Sequence, residues 1–237
     1  MFITLIISII NIKDINMKHL RLFETEIEYT SEVDNLDLPC ITYIEEASEI
    51  GVHKENYIII KHNLTSSTPI DMAYILGGEV DLSTVKKMYI DDVEVNPDIY
   101  FPTSTSMGEH IVKIEFKRPL SSCRAMFMCS IAMTEVDFSH FDTSNVTDMV
   151  SMFSGCESLT SLDLSNFDTS NVTRMNSTFS DCRSLTSLKM MGNINNLQNA
   201  ENIFSNIATT GTFYYNSAYD YSEIISALPS TWTAVAV

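Results

Sequence analysis

Two cysteines, two aspartates and five histidines are the residues whose types and spacing could do chemistry here. Cys156 and Cys182 lie in matching text, "MFSGCESL" and "TFSDCRSL". Thiols that share a column of a repeat either bridge or sit side by side as small buried hydrophobes. Asp142 and Asp168 also share a column, beside Thr143 and Thr169. Stacked carboxylates are oxygen ligands of the kind calcium takes, and aspartate is equally a turn former. The histidines (His19, His53, His62, His110, His140) are scattered and form no HExxH. The five cysteines include no CxxC pair, and among seven glycines "LGGE" holds the one double glycine. Asn63, Asn145, Asn171 and Asn176 each begin an N-x-S/T triplet. No nucleophile with its base, phosphate loop or paired-carboxylate cleft follows from these spacings, so neither catalysis nor a cofactor or metal is expected.

The elements that must position these residues are repeats. "HFDTSNVTDM" from His140 returns as "NFDTSNVTRM" from Asn166. Phe127, Phe153 and Phe179 are 26 residues apart, and Phe204 follows after 25. A period in the twenties is the leucine-rich-repeat range. The strand signature is Leu159, Leu162 and Leu164. Its counterparts are Met133, Val136 and Phe138 before it and Leu185, Leu188 and Met190 after it, with Thr210, Phe213 and Tyr215 as a fourth row. Stacked coils would place these rows side by side in a parallel sheet, apolar columns inward. Val146, Met149 and Phe153, at i, i+3 and i+7, suit a short helix on the opposite side. Asn145, with Asp148 three residues on, suits its N-cap. The column Asn145, Asn171 and Asn196 therefore either caps helices or forms a buried ladder that satisfies turn backbone groups. Either role is structural. The outward strand residues make a polar face and are the candidate interaction site: Thr134, Glu135, Asp137, Thr160, Ser161, Asp163, Thr186, Ser187, Lys189, Thr212 and Tyr214.

The phrase "MFSGCESLTSLDLSNFDTSNVT" resembles the repeat of BspA-like bacterial leucine-rich-repeat surface proteins, through Phe153, Cys156, Leu159, Leu162, Leu164, Phe167 and Val172. Cys129 departs from the pattern, two residues after its aromatic instead of three. The resemblance covers residues 120–216. It implies a solenoid used in adhesion at a bacterial surface, with no catalytic residues.

The expected fold is an α/β leucine-rich-repeat solenoid, mostly β with short helices on the convex side. Residues 1–16 form an apolar leader ("FITLIISII") or precede the true start at Met17. Residues 17–56 are an acidic segment. Residues 57–118 carry three strand-like stretches, "NYIIIKH", "KKMYIDDVEV" and "EHIVKIEFKR", and read as a small β domain. The repeats fill 119–216. Residues 217–237 form a helix-strand cap, with Trp232 over the last coil.

The formal charge of −17 argues against nucleic acid and anionic membrane surfaces. Membrane insertion is not expected, because the apolar leader is too short to span a bilayer. The expected function is a monomeric, non-catalytic module that binds a protein or glycan ligand at the cell surface or outside the cell. It is cytoplasmic if translation starts at Met17 without an export signal. The alternative is a structural component of a cell envelope or virion appendage.

Overall fold

The structure is a computed structural model and describes residues 19–22, 25–28, 55–65, 75–76, 81–98 and 106–237. The leader expected over 1–16 and most of the acidic segment lie outside these residues. The chain divides into two compact units, Met1–Gly51 and Val52–Val237. In the first, β1 (His19–Leu22) and β2 (Thr25–Glu28) pair antiparallel.

The second unit holds two sheets. The first has the order β5-β4-β6-β3-β7 and is antiparallel throughout. Its strands are β3 (Tyr57–Leu64), β4 (Val85–Ile90), β5 (Val93–Val95), β6 (Gly108–Phe116) and β7 (Met133–Asp137). Alternation does the sorting: Ile58, Ile60, Met88, Val112 and Ile114 are buried, while Lys61, Lys113 and Glu115 lie on the other face. Asp91 and Asp92 both have positive φ (50° and 65°) at the β4–β5 turn, the geometry of a type I′ hairpin.

Asp91 also locks that hairpin to β6. Its Oδ1 accepts the Ile111 N–H at 2.9 Å, and its Oδ2 lies 2.7 Å from His110 Nδ1. His110 Nε2 lies 2.9 Å from the Ser106 carbonyl. With an acceptor at each ring nitrogen, the imidazolium is the form that donates to both. Burial works against that charge, but the Asp91 and Ser106 bonds outweigh it and raise the His110 pKa. The Ile111 N–H and then His110 hold the Asp91 carboxyl below its usual value. The histidine contribution is present below its unfolded pKa near 6.5 and is lost as pH rises through the raised folded value. The aspartate contribution is present above about 3.9 and is lost as pH falls through the lowered one. Stability should therefore fall between pH 6 and pH 8.5, and His110→Gln should flatten that limb of the curve. Parallel urea melts at the two pH values check this.

The second sheet, β11-β10-β9-β8, is parallel. Its strands are β8 (Ser161–Asp163), β9 (Ser187–Met190), β10 (Gly211–Tyr215) and β11 (Trp232–Ala236). Leu162, Leu188 and Phe213 form one inward column. One expected row does not join it. β7 pairs antiparallel with β3 and has no ladder with β8. A bulge between Lys61 and His62 lies in the β3–β7 pairing, and bulges add local twist that carries a strand out of line with its neighbours.

The expected helices over the repeats do not form; turns take their place. Residues 150–155 and 176–181 run as consecutive turns. Alternate N–H groups, from Met149, Ser151, Phe153 and Gly155, donate to Arg174, Asn176, Thr178 and Ser180 of the next coil at 2.8–2.9 Å. The intervening Met152, Ser154 and Cys156 donate three residues back, at 3.1 Å. The same pattern runs from Cys123 to Cys129 above and from Met175 to Asp181 below. A helix satisfies its backbone within itself, whereas this arrangement ties every coil to the next. The unit is thus mostly β, a solenoid with hydrogen-bonded ladders on both sides. The one α-helix among the described residues is α1 (Ser222–Ser226), which buries Ile224.

The turns need left-handed backbone twice per coil: at Ala125 and Cys129, Ser151 and Gly155, Ser177 and Asp181, Asn202 and Asn206. A left-handed conformation costs an L-residue about 1–2 kcal/mol, and glycine escapes that while losing about 0.5–1 kcal/mol of chain entropy. Ser177→Gly should therefore be neutral or stabilising, by up to about 1 kcal/mol. In a helix the same change would cost about that much. A chemical melt that shows destabilisation would count against the turn ladder.

Candidate interaction face

Registers decide which polar residues meet. Ser161, Ser187, Thr212 and Thr233 form one rank, and Asp163, Lys189, Tyr214 and Val235 another. Neighbouring strands bring such residues about 4.8 Å apart. Ser161 and Asp163 are exposed, and Ser187, Lys189, Thr212 and Tyr214 are half-buried. Thr160 and Thr186 sit just before β8 and β9, and the Thr186 Oγ1 donates to the Thr160 carbonyl at 3.3 Å. Thr134, Glu135 and Asp137 lie on β7, in the other sheet, with the Thr134 hydroxyl on the Lys61 carbonyl at 3.2 Å. The structure therefore brings together eight of the eleven residues in and beside one parallel sheet and puts three on its neighbour. Pairing of β10 with β11 adds Thr233 to the first rank.

The face is electrically mixed. Lys189 Nζ lies 3.4 Å from Asp163 Oδ2, both side chains partly in water, and such a pair contributes about 0–1 kcal/mol. Burial alone would raise the Asp163 pKa, but the Ser165 hydroxyl and N–H, with Lys189, turn the shift downward.

The asparagine column lies at the coil edge and is exposed, not buried, and it caps no helix. Asn171 Nδ2 donates to the Ser144 carbonyl at 2.8 Å, and Asn196 Nδ2 to the Ser170 carbonyl at 2.5 Å. Asn171 and Asn196 thus each tie their coil to the one before. Asp142 and Asp168 accept from Ser144 N and Ser170 N at 3.0 Å, and Asn193 takes the same place in the third coil. Among the described residues no group of three or more His, Cys, Asp or Glu is placed to hold a metal.

Residues 100–216 match the family described as "Mycoplasma protein of unknown function, DUF285". No curated protein and no solved structure matches the chain. The matched span takes in β6 to β10 and ends before α1. It contains every repeat and the whole polar face except Thr233 and Val235. No helix among the described residues is long and apolar enough to cross a membrane.

The thiols are structural neighbours. Cys156 and Cys182 are free and buried, and their Sγ atoms donate to the Phe127 and Phe153 carbonyls, each at 3.1 Å. Burial pushes Cys182 up to about 12 and Cys156 well above its usual value. Thiolate is the reactive form, so native alkylation followed by mass spectrometry should label exposed Cys129 first and leave Cys156 and Cys182 for unfolding conditions. Rapid labelling of either buried thiol would refute this.

Three polar constellations escaped sequence reasoning because their members are far apart in the chain. His62 Nε2 lies 3.1 Å from Ser130 Oγ, with both residues fully buried. His110 pairs with Asp91. Tyr57 stacks on His140 at 4.5 Å, with Lys113 Nζ 4.5 Å from the Tyr57 ring. The serine beside His62 is sealed from substrate, and His110 turns its second nitrogen to a backbone carbonyl.

Proposed function

We propose that the protein is a non-catalytic interaction module that presents the outward face of β8 to β10 to a protein or glycan ligand at a bacterial surface. The observation that carries this reading is the pair of polar ranks, Ser161–Ser187–Thr212 and Asp163–Lys189–Tyr214. A rigid ladder holds them at fixed spacing, so a ligand loses little entropy in meeting them. The resemblance of the repeat to BspA-like leucine-rich-repeat surface proteins supports adhesion as the biological setting. The His62 and His110 arrangements support a non-catalytic reading, since neither offers an accessible nucleophile beside a base. The acidic charge disfavours nucleic acid, and a monomer that uses this face for a foreign ligand is the simplest assembly.

A glycan and peptide array probed with the full chain tests the reading. Ser161→Lys, Ser187→Lys and Thr212→Lys together should abolish the strongest signals while leaving the melting temperature within a few degrees. Signals unchanged by the triple variant would remove the face from the argument. No signal at all would favour the alternative, a structural component of a cell envelope or appendage, in which the solenoid serves only as a spacer.

A further inference from the structure

Among the described residues, four strands end a sheet in the second unit: β5, β7, β8 and β11. An end strand turns unpaired N–H and C=O groups outward and accepts a further strand unless something blunts it. Charge blunts three of the four. β5 carries Glu94, β7 carries Glu135 and Asp137, and β8 carries Asp163. β11 is different, because residues 231–237 hold no charge, glycine or proline.

Register shows which groups of β11 point outward. The Val237 N–H donates to the Tyr215 carbonyl of β10 at 2.9 Å. Backbone direction alternates along a strand, so Thr233 and Val235 turn to β10 in the same way, and Ala234 and Ala236 turn their N–H and C=O groups away from it. The other side of β10 agrees: the Thr212 N–H donates to the Thr186 carbonyl, toward β9, at 2.8 Å, which leaves Phe213 to bond β11. Both alanines are exposed, and no described strand lies beyond them.

The apolar column is unfinished at the same edge. Leu162, Leu188 and Phe213 fill its inward places, and Ala234 takes the last. The first three are buried, whereas Ala234 is exposed. A strand added at about 4.8 Å would set an apolar side chain beside Ala234 and carry the column one place further. Its opposite face would meet water beside Thr233. A segment of alternating apolar and polar residues therefore fits, and against a chain of charge −17 its polar places suit lysine or arginine.

We propose that β11 takes up an extended, basic segment of a partner protein as an added strand of the β8–β11 sheet. Main-chain hydrogen bonds to Ala234 and Ala236 supply the affinity, and the alternating side chains supply the selectivity. The edge is separate from the polar face, so either can fail without the other.

The probes are an octapeptide of alternating valine and lysine, and one of the same charge with proline for valine. Salt at about 0.15 M screens long-range attraction. Hydrogen exchange of the full chain is the readout. The valine–lysine peptide should slow exchange at Ala234 and Ala236 by about tenfold at saturation, with β4, β6 and β8 unchanged. The proline peptide should protect neither. Ala236→Pro removes an outward donor without touching a β10 bond, a position where proline is tolerated. Read at Ala234, it should weaken the peptide by about tenfold. Ala234→Lys sets a charge where the added apolar side chain would lie. Read at Ala236, it should weaken the peptide at least as much, and because Ala234 is exposed it should fold even if Ala236→Pro does not. Equal protection by the proline peptide, protection at β5 or β8 instead, or full binding by both variants would overturn the proposal. So would concentration-dependent protection of these amides without peptide, which would assign the edge to a second copy.

Discussion

Phe179→Ala should be the most damaging single truncation in the solenoid, with an expected loss of about 3–5 kcal/mol. The ring is fully buried and sits between Phe153 and Phe204, with centroids 5.9 and 5.7 Å away and planes within 13°. Phe127 continues the stack above, at 5.5 Å from Phe153, and Trp232 ends it below, at 6.5 Å from Phe204. Alanine removes apolar contact on both sides and opens a cavity that the ladders cannot close, because the Phe179 backbone is pinned to Ile203 at 3.0 Å. Phe179→Leu should recover much of the loss, short of the stacking contribution of about 0.5–1.5 kcal/mol. Phe204→Ala should cost less, since its lower neighbour is a looser fit. Urea melts of the three variants set the order, and a loss below about 1 kcal/mol for Phe179→Ala would mean that the stack does not bear on stability.

The phenylalanine column was legible in the sequence because its spacing is constant and apolar. So were the inward residues Leu159, Leu162 and Leu164, and the shared place of Cys156 and Cys182. The nature of the coil's other side was not. Three-residue turn bonds bring Met149, Met152, Phe153 and Cys156 inward at spacings of three and four, which is also the period of a helix. The discriminating signal was weak but present: at the left-handed positions of the coils, small or polar residues stand four apart, as at Ser151 and Gly155 or Asn202 and Asn206. The pairing of β7 with β3 was illegible for a different reason. It joins segments more than 70 residues apart, and alternating apolar text fits either neighbour.

The candidate face was legible in part. Alternation gave its outward residues, but only registers fix which side chains meet, and only β11 shows where the ranks end.

Leu162→Ala and Thr160→Ala test the assigned register with two changes two residues apart. Leu162 is 4% exposed and lies opposite Leu188 in the parallel ladder, so its side chain enters the shared core. Truncation should cost about 2–5 kcal/mol. Thr160 is exposed, and what binds its neighbours is its carbonyl, which accepts from Thr186 N–H at 2.9 Å and from the Thr186 hydroxyl. Alanine keeps that carbonyl, so the change should stay within about 0.5 kcal/mol. Because each coil is supported by the next, the damage from Leu162→Ala should spread. Hydrogen exchange should quicken in β9 as well as β8, while β4 and β6 keep their protection. Equal losses for the two variants would shift the strand by one residue and turn its polar ranks inward, and the proposed binding face would go with them.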